Sequence, residues 1–255
     1  MSNIQDQNQS PGENPGKNKG TLFGVGIGPG DPELLTIKAY RVLQESAVIA
    51  YPEAKQGTGG YAISIIEDLY DEDKKTMLPL HFPMIKDKSK LEENWENAAK
   101  QVLDQLNNGD DVSFITEGDP LFYSTFIHLM KVINDRDRDI EVVVVPGISS
   151  AHGAASSLAL PLCDGDELFT VVPATKDMAQ METYLTQFDT VVFLKVAKVL
   201  QPMLALLKKL NMDDGAYVVE KATSSKERIF RDVKELEGQD IGYLSLMIVR
   251  TKENG

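Results

Sequence analysis

The sequence predicts an α/β protein in two parts, with a mostly parallel sheet in the N-terminal half and a mixed sheet in the C-terminal half. Three observations predict it. Short apolar, β-rich runs alternate with helical segments through residue 133, the pattern of βαβ units. A charged, turn-rich stretch then breaks the chain at residues 134–139. Beyond it the strand-like runs follow one another more closely, so antiparallel neighbours are expected.

The first strand, residues 22–25, runs into a glycine-rich turn. A helix is predicted over 33–45, with Leu34, Leu35, Ala39, Val42 and Leu43 near one face, Asp31 as its N-cap and Pro32 in the first helical position. Residues 47–51 read as a second buried strand ended by Pro52, 62–69 as helix, and 76–80 as a short third strand. An amphipathic helix spans 91–106, its exit marked by Asn107-Asn108-Gly109. A strand at 111–116 and a helix over 124–133 follow. After the break, residues 140–145 form a β-branched run typical of a fully buried strand. A small-residue helix at 149–158, a strand at 168–172, a helix at 178–187, a strand at 190–194 and a helix at 199–210 come next. Strands at 216–219, 227–232 and 244–250 complete the chain. The predicted division is a tail at 1–19, an N-terminal α/β domain at 20–136 and a C-terminal α/β domain at 137–255.

Composition narrows the function. A formal charge of −13 argues against a nucleic-acid partner or an anionic membrane surface, because both reward basic patches. The single cysteine, Cys163, excludes a disulfide framework and reads as a small buried residue. His81, His128 and His152 are too scattered for a zinc motif, so no metal site is expected. Residues 1–19 are dominated by Asn, Gln, Gly, Pro and Ser and are expected to be disordered; they hold no apolar core of a secretory signal. No run reaches the ~18 apolar residues of a membrane span. A cytoplasmic protein is expected.

Three loops after buried strands carry glycine or proline where a side chain would obstruct a ligand. The first is Gly26-Ile27-Gly28-Pro29-Gly30-Asp31, closing the run that begins Gly24-Val25. Its spacing is G-x-G-x-G, and it fails the G-x-G-x-x-G of dinucleotide sites in either frame. The second is Thr116-Glu117-Gly118-Asp119-Pro120-Leu121-Phe122-Tyr123, and the third is Val145-Pro146-Gly147-Ile148-Ser149-Ser150. Taken singly, each is also a common turn or helix cap. Ligands of open α/β sheets bind outside the carboxyl ends of the strands, so the three can converge on one crevice.

The combination of these three loops, in this order and spacing, resembles the tetrapyrrole (corrin/porphyrin) methylases, which use S-adenosylmethionine. The resemblance covers residues ~20–252. Ala50-Tyr51-Pro52, Glu220-Lys221-Ala222-Thr223-Ser224-Ser225 and the segment from Tyr243 to Arg250 are similar to the branch acting on C-20 of precorrin-2 or cobalt-precorrin-2 in cobalamin biosynthesis. The resemblance implies two α/β domains with the methyl donor in the cleft between them, and a homodimer. By position it implies that Pro29 faces the substrate trough. It places Gly118, Asp119, Leu121, Ser149 and Ser150 at the donor, with Asp119 as polar anchor. Leu194 stands where relatives often have an adenine-packing methionine, and Ala222 and Leu246 lie near further adenine contacts. After Thr223 many relatives have a proline, which this chain lacks.

Methyl transfer from a sulfonium needs positioning more than covalent help, and holding donor and acceptor at attack distance supplies roughly 7–11 kcal/mol. A base for the proton of the methylated carbon is sought among Asp31, Glu117, Asp119 and Tyr123. Lys195, Lys221 and Arg228 are candidates for the substrate's carboxylates. The alternatives are a sister methylase acting at another ring position, on uroporphyrinogen III or a later precorrin, and, from a different class, a nucleotide-binding module with Glu53 on a ribose.

Overall fold

The computed structural model describes residues 18–251 except 55, 56, 58 and 84–86. The predicted tail, apart from Asn18 and Lys19, lies outside the described residues; Lys19 itself pairs with Asp137 at 2.7 Å.

The first sheet contains β1 (Leu22–Gly26), β2 (Val48–Glu53), β3 (Thr76–His81), β4 (Val112–Thr116) and β5 (Val142–Val145) in the order β3-β2-β4-β1-β5. Every pairing is parallel. Alternate residues of these strands feed two cores, as a parallel sheet covered on both faces requires. Leu22, Val48, Ala50 and Phe114 pack with α3 (Lys88–Asn107) and α4 (Phe126–Arg136). Val25, Ile49 and Ile115 pack with α1 (Ile37–Glu45) and α2 (Tyr61–Ile66).

The second sheet contains β6 (Phe169–Pro173), β7 (Thr190–Leu194), β8 (Ala216–Glu220), β9 (Arg228–Phe230) and β10 (Ser245–Arg250) in the order β6-β7-β10-β8-β9. Only β6 and β7 run parallel, so this sheet is mixed, as expected. Its Val191, Phe193, Val218, Met247 and Val249 pack on α6 (Met178–Gln187) and α7 (Leu200–Leu210). Its other face, with Val192, Leu194, Val219, Leu246 and Ile248, packs on the small residues of α5 (Ser150–Leu158). Each fully buried aliphatic side chain contributes about 1.5–3 kcal/mol. Among the described residues no helix is long and apolar enough to cross a membrane.

Several expectations need correction. The helix predicted over 33–45 is split. Asp31 caps only a 3₁₀ turn, Pro32–Leu34, and Leu35 is extended, so the α-helix starts at Ile37 under its own cap, Thr36. Pro52 does not end β2. The carbonyls of Ala47 and Glu53 accept from β3 while the Val48 N–H serves the β4 side, so Pro52 also faces β4, where pairing has stopped at Ala50. Its missing N–H is therefore not required by the ladder. The charged break does not part the two sheets. α4 runs on through Arg136, and Val142–Val145, assigned above to the second half, pairs with β1 in the first sheet. Cys163 is exposed, not buried.

Candidate active site

β4, β1 and β5 are adjacent in the first sheet, so the three glycine-bearing loops leave its carboxyl edge side by side. They lock together through backbone. The Gly118 N–H donates to the Gly28 carbonyl at 2.8 Å, with Gly118 at φ +67°. A Cβ on Gly147 would lie 2.1 Å from the Gly118 oxygen, and one on Gly26 would lie 2.6 Å from both that oxygen and the Gly147 nitrogen. A Cβ on Gly30 would meet the Ala222 carbonyl at 2.6 Å, which fits the first loop against the second sheet. Even Gly24 makes room for the Phe126 ring. These glycines therefore admit protein, not ligand, and their effect is to bring the strand ends close enough to form one wall.

Asp119 fastens the same junction. One carboxylate oxygen accepts from the Leu121 N–H at 2.9 Å and the other from the Gly147 N–H at 3.0 Å. Tyr123, at φ +54°, reaches the opposite sheet and donates its hydroxyl to the Val171 carbonyl at 3.2 Å. From that side, the Thr223 hydroxyl accepts from the Asp31 N–H at 3.0 Å.

The facing wall is built by register. Leu246 pairs with Leu194 on one side and Val219 on the other, so the three form one row across β7, β10 and β8. With Ala222 they are nearly buried and make a dry surface. Between the walls lies a cavity of about 330 Å³, within the range of small-molecule sites. Positive φ in a non-glycine residue costs about 1–3 kcal/mol and gathers at functional sites. Here Tyr123, Lys195 and Lys221 adopt it on the cavity lining and Thr223 beside it.

Glu117, directly after β4, projects into this cavity with Tyr61 and Tyr243. Burial pushes the Glu117 carboxyl above the usual carboxylate range, partly offset by the Ala62 N–H donating to it. Burial also raises both tyrosines, and the charge of Glu117 adds to each. The buried Tyr61 hydroxyl makes no hydrogen bond of good geometry, although the nearby Ser224 acts against the rise that burial causes.

Of the residues singled out from sequence, Pro29, Glu117, Gly118, Asp119, Tyr123, Ser149, Ser150, Leu194, Ala222 and Leu246 line the cavity. Asp31 and Leu121 do not; Asp31 is a cap, and Leu121 is 51% exposed. Ser149 is engaged as the cap of α5 and bonds His152 Nδ1 at 2.8 Å. Lys195 and Lys221 line the cavity, whereas Arg228 is ion-paired to Glu220. Glu53 accepts from the Gly57 and Gly59 N–H groups at 3.1 and 2.9 Å, so it pins its own loop. Sequence reasoning gave no role in the cavity to Tyr61 or Val219; the Gly59-Gly60 pair before Tyr61 was the one local sign of a tight approach there.

A two-sheet α/β fold with a cleft at the strand ends, lined by glycine-locked loops and an apolar row, defines a small-molecule enzyme site. The chain belongs to the tetrapyrrole (corrin/porphyrin) methylase family, whose model matches residues 21–237. It is 39% identical over 232 residues to a probable cobalt-precorrin-2 C(20)-methyltransferase of Methanocaldococcus jannaschii, covering 90% of this chain and 95% of that one. It is 34% identical to a precorrin-2 C(20)-methyltransferase of a Sinorhizobium species, with the same coverages. Among solved structures, the uroporphyrin-III C-methyltransferase of Thermus thermophilus complexed with S-adenosylhomocysteine aligns with a TM-score of 0.62 at 23% identity, over 90% of this chain and 97% of that one. That likeness bears on the fold.

Proposed function

We propose that this chain is an enzyme that methylates C-20 of precorrin-2 or cobalt-precorrin-2 in cobalamin biosynthesis, with S-adenosylmethionine as donor. The observation that carries the reading is one cleft, walled by both sheets, in a family member that is similar over nine tenths of its length to C(20)-methyltransferases. The donor supplies a methyl group on a sulfonium, a good leaving group. The residues present fit it. Leu194, Val219, Ala222 and Leu246 offer a dry wall for its purine, and Tyr61 offers a buried hydroxyl still without a well-placed partner. Gly118, Asp119, Ser149 and Ser150 line the polar side, where the two backbone bonds of Asp119 hold its carboxylate in place. Pro29 lines the same cavity, and we assign it to the substrate side. Lys195 and Lys221 supply positive charge for substrate carboxylates. The loop role of Glu53 removes the feature that favoured a nucleotide-binding module.

A cytoplasmic homodimer completes the proposal. Leu121, Phe122 and Ile127, exposed in one segment after β4, give it an apolar surface to cover, and light scattering tests the dimer. The reaction is tested by single-turnover mass spectrometry, with precorrin-2 and cobalt-precorrin-2 offered separately under anaerobic conditions. A gain of one methyl on either supports the reading. Donor binding without methylation of either moves the chain to another ring position.

A further inference from the structure

Four side chains were candidates for the proton acceptor, and the structure commits three of them elsewhere. Asp31 caps a 3₁₀ turn outside the cavity. Asp119 spends one oxygen on the Leu121 N–H and the other on the Gly147 N–H, the bonds that hold the loop junction. The Tyr123 hydroxyl is bound to Val171 across the cleft. Glu117 is different. It sits at the first position after β4, beside the Gly118–Asp119 turn, and its carboxylate takes one backbone N–H, from Ala62, leaving acceptor positions open. It lines the cavity together with Tyr61 from the first half and Tyr243 from the second, so it stands between the two walls.

Resting on the C-20 reading above, we propose that Glu117 is the catalytic base that removes the C-20 proton. C-20 forms its new bond to the methyl carbon as the sulfur–methyl bond breaks, and that electron pair stays on sulfur in the neutral thioether product. The C-20–H bond then breaks, its electrons return to the macrocycle, and the proton passes to a Glu117 carboxylate oxygen and on to solvent. Tyr61 and Tyr243 frame the carboxylate. The other ionisable groups on the cavity lining are Asp119, Tyr123, Lys195 and Lys221, and Lys198 lies 5.9 Å over the Tyr243 ring. Burial moves the Glu117 carboxyl toward working pH, where a general base is most effective.

The test compares wild type with Glu117→Gln and Glu117→Asp on whichever precorrin-2 form wild type methylates, after calorimetry with S-adenosylhomocysteine has shown each variant folded and able to bind. Glu117→Gln should slow single-turnover C-20 methylation by roughly 10²-fold or more. It should also abolish the rise of rate with pH that a titrating Glu117 predicts for wild type, and enlarge the isotope effect with C-20-deuterated substrate. Glu117→Asp should recover part of the rate and the pH limb. A Gln variant with wild-type rate and pH profile overturns the proposal. So does a Gln variant that loses affinity for the cationic donor while keeping it for S-adenosylhomocysteine, since Glu117 would then recognise the sulfonium. If wild type itself methylates neither form, the C-20 reading fails and takes this assignment with it.

Discussion

Replacing Gly147 with Ala probes the junction on which the site depends. The added Cβ would stand 2.1 Å from the Gly118 carbonyl oxygen and 2.8 Å from the backbone of Gly26. Ordinary contact begins at 3.4 Å, so one of the loops must move by 1.3 Å. All the atoms met are backbone, already tied by the Gly118–Gly28 bond and the Asp119 clamp, so no side chain can swing away. Overpacking costs typically 1–3 kcal/mol, and a backbone obstacle belongs at the upper end, about 3 kcal/mol. For a chain of this size that lowers the unfolding midpoint by roughly 6–12 °C. S-adenosylhomocysteine affinity should fall at least tenfold, because the displaced loop carries Ser149 and Ser150. Gly238→Ala is the control. Nothing lies within 4 Å of its Cβ, and its φ of +73° sets the cost at about 1–2 kcal/mol, with binding unchanged. Differential scanning calorimetry and titration calorimetry check both variants. A Gly147→Ala protein that melts with wild type and loses only ligand affinity would mean that the glycine faces the ligand, refuting the packing argument.

Asp119→Asn replaces one of two acceptors with an amide NH₂ facing a backbone N–H, so stability should drop by about 1–3 kcal/mol in urea unfolding, with weaker S-adenosylhomocysteine binding. Tyr123→Phe removes only the bond to Val171 and should cost about 1 kcal/mol by the same measurement. Glu117 is raised by burial, so the fold holds its proton more tightly than the unfolded chain does. Stability should therefore fall as pH rises from the ordinary carboxylate range through the raised value. Glu117→Gln should accordingly raise the melting temperature of the unliganded protein near pH 8 and leave it unchanged near pH 3; equal effects at both would contradict the burial argument.

Where local pattern decides structure, the sequence was a sufficient guide. Met178–Gln187 and Thr190–Leu194 lie where periodicity and β-branching place them, and the mixed C-terminal sheet follows from its closely spaced strands. Failures came where a neighbour decides. Leu35 breaks the first helix because Asp31 and Thr36 each cap a separate turn, and two successive caps look like one helix start in sequence. Val142–Val145 follows a charged break, yet pairs back to β1, a long-range choice no local composition records. In the site, the loops were visible as motifs, but the reason for their glycines was not. The space beside Gly26 and Gly147 is filled by other backbone, so an apparent opening for ligand is a contact between strands far apart in the chain. Tyr243 joins Glu117 in the cavity only because the two sheets face each other, and it carries no local signal of that.

The most direct test of the central claim is to supply S-adenosylmethionine with a ¹³C-labelled methyl group, together with precorrin-2 and with cobalt-precorrin-2, and to locate the label in the product by NMR. The account predicts one labelled methyl, on C-20, formed alongside S-adenosylhomocysteine. A label on any other ring carbon, or no transfer to either substrate, would contradict it.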